Sequence, residues 1–334
     1  MKILVTGVAG FIGSHLAEYL LNQGHEVYGI DNLSIGKRHN VPKGIKFTQV
    51  DMRDTEVMDL YIHSHKPEVI FHLACWAHEG LSQFMPILIT ENNYNAFLNL
   101  IVPAIKTGMK RIVVCSSMSV YGGQNPPFNE DMERKPVDIY AIAKTAMEEA
   151  TEVLSDVHGF DYTIIRPHNV YGPKQILWDP YRNVAGIFMN RILNGKSPII
   201  YGDGEQTRAF SYIDDVVPYL AKAGFIEETK GEIINIGPLE QFTINELVNE
   251  ILKAFGSDLK PEHFPDRPKE VKHAYCTNYK AEKLLGYKTS VSLAEGIKKM
   301  AEWAKTIGPQ KFEYLDSLEL TGDNIPKTWK DRLM

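Results

Sequence analysis

The stretch Ile3-Leu4-Val5-Thr6-Gly7-Val8-Ala9-Gly10-Phe11-Ile12-Gly13 decides the fold of this chain. A short apolar run leads into three glycines, and a helix is predicted over Phe11–Asn22. Gly7 permits a tight turn, Gly10 lets the backbone approach a pyrophosphate, and Gly13 lets the helix pack against the strand. The first turn of that helix presents unpaired N–H groups to phosphates. The pattern therefore predicts a dinucleotide site.

An acidic residue follows the next predicted strand and bears on which dinucleotide is bound. The predicted strand 26–30 ends in Asp31, about 20 residues beyond the glycines, where a carboxylate is expected to bind ribose hydroxyls. Asp31 favours NAD over NADP because its charge would repel a 2′-phosphate. Lys37 and Arg38 are the remaining argument for NADP. A purely structural turn is disfavoured, since the strand, the turn, the helix and the distal acid all agree.

Bulk composition excludes several classes of protein. The 334 residues carry a formal net charge of −6, which argues against a nucleic-acid surface. No apolar run is long enough to span a bilayer, and no signal-peptide layout is present, so a cytoplasmic protein is expected. Three scattered cysteines are too few for a disulfide framework or a four-ligand zinc site. They are interpreted as core residues, namely Cys75, Cys115 and Cys276.

The first half of the chain alternates strand-like and helix-like patterns. Further strands are predicted at 46–50, 69–73, 111–115 and 162–165. This alternation predicts an α/β fold, a Rossmann-type doubly wound parallel sheet whose ligand lies at the carboxyl ends of the strands. Beyond about residue 172, Pro and Gly become frequent. We therefore expect an NAD-binding domain over 1–172, and a smaller mixed α/β substrate-binding lobe over 173–334 with some chain returning to the first domain.

A tyrosine and a lysine one helical turn apart are candidates for proton transfer. Tyr140 and Lys144 share a helix face, and Asp138 is placed to cap that helix. A free phenol has a pKa near 10, so the neighbouring ammonium is expected to lower it. Such a spacing is common by chance in amphipathic helices. Ser117, just beyond the strand 111–115, strengthens the interpretation because it can donate a hydrogen bond to a substrate oxygen.

Together these residues resemble the extended short-chain dehydrogenase/reductases, in particular the NAD-dependent nucleotide-sugar epimerases and dehydratases. The resemblance covers nearly the whole chain and implies a catalytic triad of Ser117, Tyr140 and Lys144. It implies cofactor contacts from Gly7, Gly10, Phe11, Ile12, Gly13, Asp31, Asn32, Asp51, Met52, Leu73, Ala74, Asn93, Tyr140 and Lys144. It implies substrate contacts from Ser117, Ser119, Asn169, Ala274 and the diphosphate-clamping arginines Arg208 and Arg267.

Departures from the family pattern narrow the reaction. Dehydratases of the family carry an Asp-Glu pair at the positions of Met118 and Ser119. Decarboxylases of the family carry a Glu at the position of Ser119. A thioether cannot transfer protons, so dehydration is disfavoured. The segment Trp76-Ala77-His78-Glu79 is also unusual. His78 and Glu79 are candidate contacts to an unusual sugar substituent, although a solvated loop is the preferred interpretation.

The predicted activity is a nucleotide-sugar 4-epimerase that forms a transient 4-keto sugar and needs no metal. A UDP-hexose is the expected substrate. UDP-GlcNAc is a further candidate if Ala274 leaves room for the C2 substituent, and UDP-glucuronate stays open. GDP and CDP sugars also stay open, because the distinctive loop 175–183 is a candidate contact to the base. A nucleotide-sugar 4-dehydrogenase or 4-ketoreductase is the rival enzyme. A non-catalytic NAD-responsive binding protein is disfavoured by the intact triad.

Two long amphipathic segments bear on assembly. By resemblance, segments 85–107 and 138–158 pair with those of a second copy as a four-helix interface, which implies a homodimer. Ordinary packing against the sheet is the alternative interpretation. The tail after about residue 308 yields no prediction.

Overall fold

The computed structural model describes residues 1–334 and contains a seven-stranded parallel sheet in the order β11-β6-β5-β4-β1-β2-β3. The strands are β1 (Lys2–Thr6), β2 (Glu26–Asp31), β3 (Lys46–Gln49), β4 (Val69–His72), β5 (Arg111–Cys115), β6 (Asp161–Pro167), β7 (Val170–Tyr171), β8 (Ile199–Tyr201), β9 (Thr207–Arg208), β10 (Ser211–Tyr212), β11 (Glu232–Ile236), β12 (Phe242–Thr243), β13 (Glu262–Phe264) and β14 (His273–Ala274).

Helices cover both faces of this sheet. They are α1 (Phe11–Asn22), α2 (Thr55–His65), α3 (Glu79–Ser82), α4 (Pro86–Thr90), α5 (Ala96–Lys106), α6 (Ile139–His158), α7 (Val184–Leu193), α8 (Val217–Lys222), α9 (Ile244–Phe255), α10 (Tyr279–Leu285), α11 (Leu293–Ile307) and α12 (Lys327–Lys330). A π-helical turn, Glu91–Asn95, joins α4 to α5. None of the helices combines the length and the apolarity that crossing a bilayer requires.

The apolar runs of the strands divide the core into two layers. Successive side chains of a strand point to opposite faces, so Ile3 and Val5 of β1 pack toward α1 while Leu4 packs toward α2 and α5. All three side chains are fully buried. A strand buried on both faces must be apolar throughout, which explains the continuous runs in the sequence. The predicted doubly wound parallel sheet is confirmed.

The order of the strands sets the place of the site. β1 pairs with β2 on one side and with β4 on the other, so the connections leave β1 in opposite directions. A crevice forms at such a reversal, outside the carboxyl ends of the strands. The two edge strands of the sheet are β3 and β11. β11 comes from the second half of the chain and pairs with β6.

The second half of the chain also forms three small sheets. β8 pairs with β13, β7 pairs with β10, and β9 lies between β12 and β14. The segment after α11 lies against the protein, and its Trp329 is buried beside Phe84 and Tyr181. The domain boundary near residue 172 stays a prediction.

Candidate active site

A cavity of about 420 Å³ lies at the carboxyl ends of the central strands. Its walls include Gly7 after β1, Asp31 at the end of β2, Leu73 after β4, Ser117 after β5 and Asn169 after β6. The other wall comes from the second half of the chain. The fold therefore brings residues that are far apart in sequence to one cavity.

Two positions of the glycine turn, Gly7 and Gly13, admit no side chain. Gly7 has φ +71°, and a Cβ at Gly13 would lie 2.1 Å from the Gly7 carbonyl oxygen. No side chain caps α1, and the N–H groups of Phe11, Ile12 and Gly13 have no acceptor in the protein. These three residues and Gly10 line the cavity. The turn thus offers free donors and a positive helix end to an anion.

The carboxylate of Asp31, the last residue of β2, is fixed in place by two backbone N–H groups. Asp31 accepts hydrogen bonds from the Ala9 N–H at 3.0 Å and the Leu33 N–H at 2.8 Å. Burial raises the pKa of Asp31, and these two hydrogen bonds oppose that shift. Neither Lys37 nor Arg38 lines the cavity, because Lys37 lies over the Trp178 ring and Arg38 over a phenylalanine. The sequence argument for NADP therefore has no support in the structure.

The remaining expected cofactor residues divide into two groups. Asn32, Asp51, Met52, Leu73 and Ala74 line the cavity. Asn93 does not, and its expected cofactor contact stays a prediction. Its side-chain amide accepts from the Trp76 N–H at 2.7 Å and donates to the Trp76 carbonyl at 3.2 Å, so it fixes the loop after β4. The neighbouring Asn92 lines the cavity.

The expected proton-transfer residues meet at the inner end of α6. Asp138 caps this helix by accepting from the Ala141 N–H at 2.8 Å, which fixes Tyr140 in the first turn. Ser117 lies near the Tyr140 phenol, and its hydroxyl oxygen accepts from the Ser119 N–H at 3.1 Å and from the Ser119 hydroxyl at 2.9 Å. Lys144 donates to the Cys115 carbonyl at 2.7 Å, with its Nζ 5.8 Å from the centroid of the Tyr140 ring.

The protonation of Tyr140 differs from the sequence expectation. Burial raises the pKa of Tyr140 well above its ordinary value, and the nearby Cys75 and Glu79 raise it further. The nearby Ser117 hydroxyl acts in the opposite direction but does not outweigh burial. Burial therefore opposes the expected lowering of this pKa by Lys144, because desolvation penalises the phenolate.

The two expected diphosphate-binding arginines both line the cavity, and a carboxylate bridges them. Arg267 donates to Glu270 at 2.9 and 3.0 Å, and Arg208 approaches the same carboxylate at 3.8 Å. Arg208 also donates to the backbone carbonyls of Thr207 and Val271. Sequence reasoning missed Glu270, although its spacing of three residues from Arg267 was a usable signal.

A smaller cavity of about 90 Å³ adjoins the main one. Ser119 and Ala274 line this smaller cavity and not the main one, whereas Asn169 lines both. Asn169 has φ +27° and donates to the Ala209 carbonyl at 2.9 Å. Ala274 pairs with Arg208 between β14 and β9, so its methyl group lies next to the clamp.

The unusual loop after β4 is solvated only in part: the Glu79 side chain is exposed as expected, whereas His78 is buried. His78 is only 2% exposed, does not line the cavity, and bonds Asp179 at 2.7 Å through Nε2. Burial lowers the pKa of His78, so a neutral imidazole donates to an ionised carboxylate. Burial opposes that ionisation, but His78 and then Arg182 outweigh it and lower the pKa of Asp179. Glu79, by contrast, lines both cavities.

Three cavity residues were missed from the sequence, namely Arg53, Cys75 and Met334. Gln175, Tyr181 and Arg182 also line the cavity and belong to the distinctive loop 175–183 that the sequence singled out. Arg53 follows a predicted cofactor pair and binds Asp51 at 2.7 Å, which was a readable signal. Cys75 and Met334 lie on irregular segments whose sequence has no periodicity. No group of three or more potential metal ligands is present.

The residues around the glycine turn fit a dinucleotide, and comparison with known proteins identifies the family. The model of the NAD dependent epimerase/dehydratase family matches residues 3–237.

The chain belongs to this family.

Like other members of the NAD dependent epimerase/dehydratase family, it is an enzyme and its cofactor is NAD. It is 36% identical to a UDP-glucose 4-epimerase of Mycolicibacterium smegmatis, over 91% of this chain and 98% of that protein. It is 33% identical to a UDP-N-acetyl-alpha-D-glucosaminuronate decarboxylase of Bacillus cytotoxicus, over 92% of this chain and 98% of that protein. It is 31% identical to a UDP-glucuronate 4-epimerase of Thermodesulfobacterium geofontis, over 95% and 99%.

Solved structures of family members share the whole fold. A UDP-glucose 4-epimerase of Thermotoga maritima with UDP-glucose has a TM-score of 0.86 at 35% identity, covering 92% of this chain and 99% of that one. The Thermus thermophilus UDP-glucose 4-epimerase with NAD has a TM-score of 0.86 at 33% identity, covering 91% of this chain and 99% of that one. A Bacillus cereus UDP-glucuronic acid 4-epimerase with UDP-glucuronic acid and NAD has a TM-score of 0.85 at 30% identity, covering 92% of this chain and 100% of that one.

Proposed function

We propose that this enzyme interconverts the C4 epimers of a UDP sugar with retained NAD. One observation carries the proposal. Ser117, Tyr140 and Lys144 line the same cavity as the glycine turn and the two arginines, so cofactor, sugar and diphosphate positions adjoin one another. The similarity to UDP-sugar 4-epimerases supports the reaction and the uridine base.

The proposed mechanism assigns one task to each residue. When bound, NAD supplies the hydride acceptor and donor. The Tyr140 oxygen takes the proton of the sugar 4-hydroxyl and later returns it, while the Ser117 hydroxyl donates a hydrogen bond to O4 as charge develops there. Lys144 stabilises the phenolate by its positive charge. Arg208 and Arg267 bind the diphosphate, which keeps the sugar anchored while the 4-keto form turns over.

The proposed substrate is a UDP-hexose whose C2 group is either a hydroxyl or an acetamido group. Ala274 lines the small cavity beside the clamp, and a methyl side chain leaves this space open. Met118 and Ser119 stand where dehydration would need acids and bases, which supports epimerisation without loss of water.

We further propose that the enzyme is a cytoplasmic homodimer. Several exposed apolar side chains support a partner surface along α4, α5 and α6: Ile87, Val102, Ile142, Val153 and Val157. All three cysteines are free, as is typical of a reducing compartment. Recovery of the native protein outside the cytoplasmic fraction of its cell would contradict the proposed location.

The direct test incubates purified enzyme with UDP-glucose, UDP-GlcNAc and UDP-glucuronate in separate reactions without added NAD. Nuclear magnetic resonance is expected to show conversion of at least one sugar to its C4 epimer. Tyr140→Phe is expected to lower kcat by about 10²–10⁴-fold, the range of a general acid–base group. The matched control Tyr279→Phe changes an exposed tyrosine and is expected to leave kcat unchanged. Full activity of Tyr140→Phe would contradict the mechanism.

A further inference from the structure

The tail segment, residues 309–334, has no role in the mechanism above but is bound to a wall of the cavity. Its Glu313 N–H donates to the Trp178 carbonyl at 2.9 Å, and its Leu315 N–H donates to the Tyr181 hydroxyl at 3.1 Å. Both acceptors belong to the distinctive loop before α7, and Tyr181 lines the cavity. The tail segment is therefore fixed to the side of the cavity that this loop forms.

A second set of contacts fixes the tail segment to the region after β4. The Glu319 carboxylate accepts from the N–H groups of Ile87 and Leu88 at 2.7 and 2.8 Å, at the start of α4. The Leu320 N–H donates to the Phe84 carbonyl at 3.1 Å. The tail segment is thus held at two places, which limits where α12 can lie.

The end of the tail segment reaches the diphosphate clamp. Thr328 of α12 is fully buried, and its hydroxyl shares a hydrogen bond with the Tyr201 hydroxyl at the end of β8. The neighbouring Trp329 lies against Gly80: a Cβ at Gly80 would be 3.3 Å from Trp329 Cη2 and 3.7 Å from Arg267 Nη1. Gly80 thus separates the indole from the guanidinium, and α12 packs behind the clamp.

Tyr201 supports the arginine that is expected to bind the diphosphate. The guanidinium carbon of Arg267 lies 4.9 Å from the centroid of the Tyr201 ring, which is within the range of a cation–π interaction. Glu270 accepts from Nε and Nη2 of the same arginine at 2.9 and 3.0 Å, whereas Nη1 has no acceptor in the protein. The ring and the carboxylate therefore hold the guanidinium so that Nη1 is free to bind an anion.

We propose that Thr328 is a positioning residue for the diphosphate of a nucleotide sugar, acting through Tyr201 and Arg267. The bond between the two hydroxyls fixes the plane of the Tyr201 ring, and the ring fixes the guanidinium before the substrate arrives. An arginine held in its binding position loses less conformational freedom when the diphosphate binds, which favours binding. This inference rests on the proposed function, because it takes Arg267 as a ligand of the diphosphate.

The test measures the binding of UDP to NAD-loaded enzyme by isothermal titration calorimetry, which needs no turnover. Thr328→Val keeps the shape of the side chain and removes the bond to Tyr201, so the Kd of UDP is expected to rise by about 3- to 10-fold, the usual effect of one hydrogen bond. Thr328→Ser keeps the hydroxyl and is expected to bind UDP as the wild type does. The matched control is Thr321→Val, which changes an exposed threonine of the tail segment and is expected to leave this Kd unchanged.

Two further readouts separate positioning from a purely structural role. Tyr201→Phe removes the other half of the same bond, so it is expected to raise the Kd by a similar factor, and the double variant with Thr328→Val by no more than either alone. In steady-state kinetics, Thr328→Val is expected to raise KM for the UDP sugar while kcat stays near the wild-type value. A lower melting temperature with an unchanged Kd would show that Thr328 only stabilises the fold and would overturn the proposal.

UDP binding and turnover are independent measurements, so the role of Thr328 is decided separately from the reaction. UDP binding that is unchanged in both Thr328→Val and Tyr201→Phe would overturn the positioning role, whether or not the enzyme epimerises a sugar. If the wild type binds UDP but epimerises no sugar, the proposed function fails, and the change of Kd in Thr328→Val still decides the role of this threonine. A wild type that does not bind UDP would contradict both.

Discussion

At the scale of single residues, the central problem is how a buried phenol becomes a base. Tyr140 is 5% exposed, and its burial favours the neutral form. The nearby Ser117 hydroxyl lowers the pKa of Tyr140 and so favours the anion, while the Lys144 ammonium donates to the Cys115 carbonyl. We therefore expect the phenolate to form only when a further positive charge, such as that of an oxidised nicotinamide, lies beside the ring.

Ala274 offers a test of substrate choice at this scale. Tyrosine at this position would fill the small cavity of about 90 Å³ and leave no room for an acetamido group at C2. Ala274→Tyr is therefore expected to lower kcat/KM for UDP-GlcNAc relative to UDP-glucose by about 10-fold or more. The ratio is measured with both substrates under the same conditions.

The control for this prediction is Ala274→Ser, which adds one atom and leaves the space open. Its substrate ratio is expected to match that of the wild type. An unchanged ratio in Ala274→Tyr would show that the small cavity does not receive the C2 group.

At the scale of elements, α6 has two functional faces. Its inner face carries Tyr140 and Lys144, and the same face is tied down by buried Glu148, which binds Arg166 at 2.5 Å and Arg134 at 2.6 Å. Removing one partner of such a buried charge network strongly destabilises the folded protein, because an unpaired charge is left in its interior. The opposite face exposes apolar side chains, so the helix that holds Tyr140, the proposed acid–base residue, also forms the proposed dimer surface.

The dimer proposal is tested on that outer face. Val153 is 62% exposed, and Val153→Glu would place a charge within the proposed apolar interface. Light scattering is expected to give the mass of a dimer for wild type and of a monomer for the variant. Leu60→Glu changes an equally exposed residue on α2 and is expected to remain dimeric. A monomeric wild-type protein would refute the assignment.

Loops on the two sides of the cavity are joined by a buried hydrogen bond. His78 and Asp179 are 101 residues apart in sequence, and their 2.7 Å contact links the loop after β4 to the loop before α7. Asp179 is further paired with Arg182, a cavity residue. The two unusual segments of the sequence therefore belong to one structural unit.

At the scale of the whole molecule, the sequence predicts features that depend on neighbouring residues better than features that depend on contacts between distant segments. The glycine turn, Asp31 and the Tyr140 helix were predictable because strand, turn and helix patterns are local. The burial of His78 was misjudged because its partner Asp179 lies on a distant segment that only the folded chain brings close. The tail that carries Trp329 has no periodic pattern, and only its packing reveals that Met334 lines the cavity.

The central claim is that the hydrogen on C4 leaves the sugar and returns to it within the closed cavity, as NAD retained there would allow, while Tyr140 and Ser117 act on O4. The most direct test supplies a UDP sugar labelled with deuterium at C4, in ordinary water and without added NAD. We expect both C4 epimers to retain the label, because the hydrogen never leaves the site. Interconversion with loss of the label to water, or dependence of each turnover on added NAD, would contradict the claim.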